Sequence, residues 1–176
     1  MEDIWLAYFN GQIDIQEVEK RIDEGADINE ELNDAGWTPL IFSIFVGDQE
    51  NYELTKLLIE KGVNIEAKDK NGKTPLMHSS EYGILEMIKI LVEKGANIES
   101  KGKHDCNALY WASRNGRFEV VKFLLEKGAD PDSVMKDSGM KTLIINNFDD
   151  DKKEEINKII EKDYQSRRMM VKPHRR

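Results

Sequence analysis

Apolar residues recur along this chain in short runs that have a helical period. Leu85, Ile88 and Leu91 follow one another at three-residue steps, which places their side chains on one face of a helix. Gly83 precedes this run and Gly95 follows it. Glycine commonly ends a helix because it adopts left-handed backbone without steric cost. The pattern therefore predicts pairs of short amphipathic helices separated by tight turns.

The same pattern returns at a fixed interval. The segment Gly72–Glu99 is followed 33 residues later by the similar segment Asp105–Asp132. Thr74-Pro75-Leu76 opens one cycle and Thr38-Pro39-Leu40 opens the preceding one. Proline suits the first position of a helix because the N–H that it lacks has no partner there. Each cycle is helix, turn, helix and loop, with an apolar face that only a stacked neighbour can bury.

The period and the sequence Thr74-Pro75-Leu76-Met77-His78-Ser79, together with the Gly95-Ala96-Asn97 ending, resemble the ankyrin repeat. The resemblance implies an all-α, right-handed solenoid of stacked helix-turn-helix units with hairpin-like loops, about five repeats including two degenerate caps. The expected divisions are an ankyrin repeat domain over 1–164 and a basic tail over 165–176. The expected repeats are 1–32 (amino-terminal cap), 33–67, 68–101, 102–135 and 136–164 (carboxy-terminal cap).

Two repeats depart from the pattern. In the second, Gly62 arrives three residues late, and we expect the excess in a loop around Asp48–Tyr52, where an insertion costs little beyond loop entropy. The fourth has Asn107-Ala108 in place of Thr-Pro and Asp105 in place of the turn glycine. Asn and Asp tolerate turn conformations, so we expect the fold to be retained there.

The first and last repeats are predicted to be capping repeats. Helices are predicted over Ile4–Phe9 and Ile15–Ile22, and a last amphipathic helix over Lys153–Asp163 with Ile156, Ile159 and Ile160 facing inward. The tail Gln165–Arg176 is expected to be either disordered or an extension of that helix. The aromatic residues of the first helix are expected to pack onto the next repeat.

Composition and charge indicate the cellular compartment that we expect for this protein. The chain has a formal net charge of −8 and 34% charged residues, and no apolar run approaches the roughly 18 residues that span a bilayer. The segment Met1–Gly11 lacks the basic flank of a signal peptide, and a single cysteine, Cys106, suits a reducing compartment. A cytoplasmic protein without membrane association is expected, or a nuclear one, or an effector delivered into a host cell.

Partners of ankyrin proteins are usually held on the concave side, by the loop tips and the outer surface of each first helix. Counting from the leucine of each Thr-Pro-Leu site transfers these places to this chain, as the resemblance implies. The predicted partner-binding residues are Asp34, Trp37, Phe45, Val46, Lys70, Asn71, Lys73, Glu81, Tyr82, Lys103, His104, Trp111, Arg114, Asn115 and Met140. The same count also predicts exposed positions at Ala35, Cys106, Asp137, Ser138, Phe148 and Asp149.

Several of these positions carry aromatic or apolar residues. Trp37, Phe45, Val46 and Tyr82 fall on consecutive repeats, where aromatic side chains often carry most of the binding energy. The alternative is that Phe45 and Val46 fill a gap left by the insertion. Charge is also uneven, because Met1–Gly36 is strongly acidic whereas the loops of repeats three and four lean basic. Such asymmetry can steer a partner of mixed charge.

Catalytic patterns are absent from the sequence. The three histidines have no metal-ligand spacing, and we find no phosphate-binding loop, nucleophile elbow or cofactor motif. We therefore predict a non-catalytic protein-interaction module, expected to be a monomer, with no cofactor, metal or small-molecule substrate. It would serve as an adaptor, inhibitor, effector or toxin-neutralising immunity protein. Two alternatives remain: a thiol-dependent regulator or small enzyme that uses Cys106 and His104, and nucleic-acid association through the basic tail.

Overall fold

The chain consists of consecutive helix pairs. The computed structural model describes residues 4–46, 49–132 and 147–170. The pairs are α1 (Ile4–Phe9) with α2 (Ile15–Asp23), α3 (Pro39–Val46) with α4 (Gln49–Glu60), α5 (Pro75–Tyr82) with α6 (Leu85–Glu93), and α7 (Ala108–Arg114) with α8 (Phe118–Glu126), and the long helix α9 (Asp150–Met170) follows them. Within these described ranges there is no strand, and the predicted all-α repeat architecture is confirmed.

The first helices begin at side-chain caps. Thr74 Oγ1 accepts a hydrogen bond from the backbone N–H of Met77 at 3.4 Å, and Asn107 Oδ1 accepts one from Tyr110 at 3.0 Å. Asn107 therefore replaces the threonine in its function, as expected of a residue that caps helices well. Asp105 takes the place of the turn glycine with a φ of 58°. The fourth repeat thus keeps its geometry with different residues.

The helices form two layers. The first helices α3, α5 and α7 contact one another in a row, and the second helices α2, α4, α6 and α8 form a parallel row beside them. The helix α9 packs against α8 at the end of the array. The apolar core lies between the layers. Its fully buried members include Leu40, Ile44, Leu54, Leu58, Leu76, Met87, Ile88, Leu91, Leu109 and Leu124.

Polar side chains connect successive repeats at the loops that follow the second helices. Asn29 Oδ1 accepts a hydrogen bond from the backbone N–H of Asn64 at 2.8 Å. Glu66 Oε1 accepts the corresponding bond from Asn97 at 2.9 Å, and Glu99 Oε1 accepts it from Asp130 at 2.8 Å. Each junction is therefore closed by one acceptor side chain that belongs to the preceding repeat.

The prediction that the extra residues of the second repeat form a loop is wrong for Gln49–Tyr52. These residues belong to α4, which has 12 residues against nine in α6 and in α8. The excess lengthens the amino-terminal end of the second helix, where continued helical hydrogen bonding satisfies backbone groups that a buried loop would leave unpaired. Within this turn Thr55 Oγ1 donates to the carbonyl of Asn51 and also bonds Ser43 Oγ. Residues 47–48 lie outside the described ranges.

The carboxy-terminal cap is longer than predicted. Ile156 and Ile160 are buried and Ile159 is partly buried, but the helix continues past Asp163 to Met170. Of the two alternatives for the tail, helix extension therefore holds as far as Met170. Arg167 pairs with Asp163 at 2.7 Å within this extension. Residues 171–176 lie outside the described part of the chain, as does the predicted opening of the fifth repeat.

Candidate inner-face binding site

The hairpin loops and the first helices together form one surface, which we call the inner face. Its loops are residues 33–37, 69–73 and 102–106. Asp69 Oδ1 shapes the middle loop by accepting hydrogen bonds from the N–H groups of Asn71 and Lys73, both at 2.8 Å. Asn33 does the same in the preceding loop. Backbone hydrogen bonds between neighbouring loops, such as Lys103 N–H to the Asn71 carbonyl, align the loops into a row.

A buried histidine joins the middle loop to its helix. His78 Nε2 lies 3.2 Å from Asp69 Oδ2, and both side chains are almost completely buried. Burial lowers the pKa of His78, against the opposing effect of the Asp69 carboxylate. Met77, which precedes it, is also buried. His78 therefore bonds within its own repeat.

Aromatic rings extend across the first half of the inner face. We call Phe9, Phe42, Trp37, Phe45 and Tyr82 the aromatic strip. The ring centroids of neighbouring members lie 4.2 Å apart for Phe9–Phe42, 6.1 Å for Trp37–Phe42, 4.7 Å for Trp37–Phe45 and 5.7 Å for Phe45–Tyr82. Phe45 is 48% exposed and Tyr82 is 37% exposed. Phe45 is therefore not the gap-filling residue that the alternative reading required.

Two members of the strip were missed by the sequence reasoning. Phe9 was expected only to pack onto the next repeat, which it does through Phe42. Phe42 stands two positions after Leu40, the same place that His78 and Trp111 hold after the leucines of their own repeats. This shared position in the repeat could have identified Phe42 as a residue of the inner face. A groove of about 820 Å³ opens beside these two rings and is lined also by Leu6, Ile13 and Leu32.

A cationic cluster occupies the second half of the inner face and the turn that follows α7. Lys73 Nζ lies 3.5 Å from the ring centroid of Trp111 and 2.7 Å from Glu81 Oε2. Arg114 donates from Nη1 to the hydroxyl of Tyr110 at 3.0 Å. Arg117, in the turn after α7, donates from Nε to the backbone carbonyl of Glu81 at 3.0 Å. These contacts join the third and fourth repeats and hold both guanidinium groups in place.

The structure places the remaining predicted residues as follows. Trp37, Lys73, Glu81 and Trp111 are half-buried, and Met140 and the side chain of Val46 lie outside the described residues. The residues with exposed side chains are Asp34, Phe45, Lys70, Asn71, Tyr82, Lys103, His104, Arg114 and Asn115.

Two positions predicted to be exposed are buried instead. Cys106 is 8% exposed because it closes the hairpin loop, accepting a backbone hydrogen bond from Gly102 and donating one to Lys103. Phe148 is 7% exposed because its ring packs edge-on against Phe118, with centroids 5.8 Å apart. Both predictions were wrong because the count assigned exposure by position without regard to packing.

The thiol alternative receives no support from this geometry. The Cys106 sulfur faces the backbone carbonyl of His104 at 3.7 Å, not its imidazole ring, and burial raises the pKa of the thiol. Over the ranges that the structure describes, no group of three or more side chains could hold a metal ion. None of the described helices is both long and apolar enough to cross a membrane.

Comparison with known proteins gives a consistent result. The family model for ankyrin repeats (3 copies) matches residues 4–102 and 47–135. An ankyrin repeat-containing protein of Schizosaccharomyces pombe is 34% identical over 42% of this chain and 33% of its own length. Ankyrin repeat and SOCS box protein 3 of Homo sapiens is 42% identical over 34% of this chain and 11% of its own. Fibronectin type 3 and ankyrin repeat domains protein 1 of Homo sapiens is 49% identical over 24% and 12%. The matched segments thus span a third or less of each relative.

Proposed function

Because this chain belongs to the ankyrin-repeat family, whose members generally mediate protein–protein interaction and generally are not enzymes, we propose that it binds a protein partner through its inner face. The binding requires no chemistry by the chain itself. The roles of adaptor, inhibitor, effector and toxin-neutralising immunity protein all rest on this one act. Identification of the partner would select among them.

The observation that carries the proposal is the pair of exposed rings, Phe45 and Tyr82. They lie on neighbouring repeats with their centroids 5.7 Å apart, and the Trp37 ring packs against Phe45 with centroids 4.7 Å apart. A contiguous exposed apolar patch is a common mark of an interaction site. Because Trp37 is half-buried and also contacts His78, it fixes the patch and is not a suitable residue to alter in a binding test.

The test compares the wild-type chain with a Phe45→Ala/Tyr82→Ala variant as bait in a lysate of the cells that express it. The variant should lose at least one protein that the wild type retains, because truncation of aromatic hot-spot residues typically costs 2 kcal/mol or more. Tyr52→Ala is the matched control, since Tyr52 is a partly exposed aromatic residue on the outer helix α4.

Circular dichroism would establish that all three proteins are folded. A partner retained equally by the wild type and by the double variant would contradict the proposal. Loss of the partner from the Tyr52→Ala control would contradict it as well, because the outer layer would then be the binding surface.

A further inference from the structure

Arg114 and Arg117 are held in place by neutral groups. Arg114 donates to the hydroxyl of Tyr110, and Arg117 donates to the backbone carbonyl of Glu81. Neither guanidinium forms an ion pair with a carboxylate among the residues that the structure describes, and the nearby Glu81 carboxylate is taken by Lys73. An arginine has five N–H donors in a rigid fork, so both side chains are oriented with most donors still available. This arrangement suits a carboxylate that approaches from outside.

The surrounding charge is locally reversed relative to the whole chain. The loops and turns of repeats three and four, over residues 68–73, 81–82, 101–106 and 114–117, carry seven cations and three acids. One of these acids, Asp69, is buried against His78. The chain between Arg21 and Lys56 contains no lysine or arginine. One half of the inner face is therefore aromatic and built from a segment without basic residues, whereas the other half is basic, in a protein of net charge −8.

The two halves meet at Gly83. This residue directly follows Tyr82, and a side-chain carbon at Gly83 would lie 2.7 Å from Arg117 Cδ. The Arg117 side chain thus passes over the turn that follows Tyr82. Tyr82 on α5 and Arg114 on α7 belong to neighbouring helices, and adjacent packed helices are about 8–10 Å apart, which corresponds to about three residues of extended chain or about six residues of helix. One short segment can therefore reach both the rings and the guanidinium groups.

Resting on the proposed function, we infer that the partner presents a segment with an aromatic or aliphatic anchor for Phe45 and Tyr82, and Asp or Glu side chains for Arg114 and Arg117. The anchor and the acids are separated by about three residues in an extended segment or about six in a helix. A nucleic acid fits less well, because its recognition requires a basic stripe along the whole surface. Here Asp34 lies in the first loop of the inner face, and Glu30 and Glu31 closely precede that loop along the chain.

The test uses a phage-displayed library of random 12-residue peptides selected against the immobilised full chain. The enriched peptides should combine a Trp, Phe or Leu with Asp or Glu at that separation. A synthetic copy of the most enriched peptide, labelled with fluorescein, is then titrated by fluorescence anisotropy. Arg114→Gln/Arg117→Gln should weaken binding by roughly tenfold per arginine, since a hydrogen bond to a charged group contributes about 1.5–3 kcal/mol.

Two further double variants test whether the loss of affinity comes from the guanidinium groups or from the change in net charge. Lys94→Gln/Lys127→Gln removes two positive charges from exposed residues that follow the outer helices α6 and α8 and should leave the affinity within about twofold, because salt screens exposed charges that make no contact with the bound segment. Arg114→Lys/Arg117→Lys keeps the charge without the bidentate fork and should restore only part of the affinity.

The possible outcomes distinguish a failure of the acidic-segment inference from a failure of the proposed function. Peptides that depend on Phe45 and Tyr82 but bind the double-glutamine variant normally would uphold the proposed function and overturn the acidic-segment inference. Selected peptides that depend on neither ring, or a selection with no enrichment, would overturn the proposed function itself. A 20-nucleotide single-stranded RNA, or the peptide with phosphoserine in place of its acids, that binds more tightly than the acidic peptide would overturn the choice of carboxylate.

Discussion

Glu66 accepts a hydrogen bond from the backbone N–H of Asn97, 31 residues further along the chain, at 2.9 Å. Its second carboxylate oxygen accepts a hydrogen bond from Ser100 Oγ at 2.7 Å. One side chain thus connects the second repeat to the third by two charge-assisted bonds, which are stronger than bonds between neutral groups. The relationship makes the stability of neighbouring repeats interdependent.

Glu66→Ala should therefore lower the free energy of unfolding by about 1 kcal/mol, because it removes the hydrogen bonds from the Asn97 N–H and the Ser100 hydroxyl, and water can replace the acceptor at the exposed Asn97. Urea-induced unfolding followed by circular dichroism measures the change. The matched control is Glu93→Ala, which removes an exposed glutamate at the end of α6 and should change stability by less than about 0.5 kcal/mol. Equal effects of the two substitutions would show that the Glu66 bonds contribute nothing.

His78 should make stability depend on pH in a defined direction. Its pKa is lowered in the folded state by burial, so the unfolded chain binds more protons as the pH falls below the ordinary value of about 6.5. Stability should thus decrease from about pH 6.5 downward, by at most about 1.4 kcal/mol per pH unit from this group, and be unaffected by it above pH 7.

A His78→Gln variant removes this titration. It should be less stable than the wild type at pH 7.5, because Asp69 Oδ2 loses its contact with the imidazole, yet its stability should fall less between pH 7 and pH 5. Urea unfolding at a series of pH values gives both quantities. The same decrease in the wild type and in the variant would contradict the assignment to His78.

Gly83→Ala should destabilise the fold more than Gly95→Ala. Both glycines have positive φ, 82° and 91°, so a side chain costs about 1–2 kcal/mol at either site. Only at Gly83 does the new carbon meet a neighbour, Arg117 Cδ at 2.7 Å, whereas nothing lies within 4 Å at Gly95. The excess should disappear when Gly83→Ala is combined with Arg117→Ala. Thermal unfolding of the wild type, of Gly83→Ala, of Arg117→Ala and of their combination forms the required cycle.

Asn107→Ala should lower the free energy of unfolding by about 1–2 kcal/mol, because Asn107 is buried and caps α7 through Tyr110. Asn107→Thr places the residue of the other repeats at this site and retains a capping oxygen, so it should cost clearly less. It would still lose the contact from Asn107 Nδ2 to Glu99 at 3.4 Å. Chemical unfolding distinguishes the two, and equal losses would mean that the cap is not the stabilising contact.

The elements that the sequence predicted correctly are those that local chemistry determines. Thr74, Pro75 and Gly83 define the start and end of α5 through a cap, a fixed φ and a left-handed residue, and all three effects act within a few residues. The same applies to α1, whose bounds Ile4–Phe9 were predicted without error. Stacking was predictable because the period of about 33 residues repeats the same apolar face.

The errors arose where distant residues decide the outcome. The insertion in the second repeat extends α4, and the contact between Ser43 and Thr55 that accompanies it joins two helices. Cys106 is buried by the closure of its own hairpin loop, which a count from Leu109 does not register. Arg117 was overlooked because it lies in a turn, and its orientation depends on a carbonyl 36 residues away.

The three junctions between repeats differ in the acceptor that closes them. Glu66 and Glu99 are carboxylates, whereas the junction between the first and second repeats uses the neutral amide of Asn29. In a linear array that depends on nearest-neighbour coupling, the weakest link sets where opening begins. Amide hydrogens of the first repeat should therefore exchange with solvent faster than those of the third. The array would thus begin to unfold at its acidic amino-terminal end while the repeat that carries Arg114 and Arg117 is still folded.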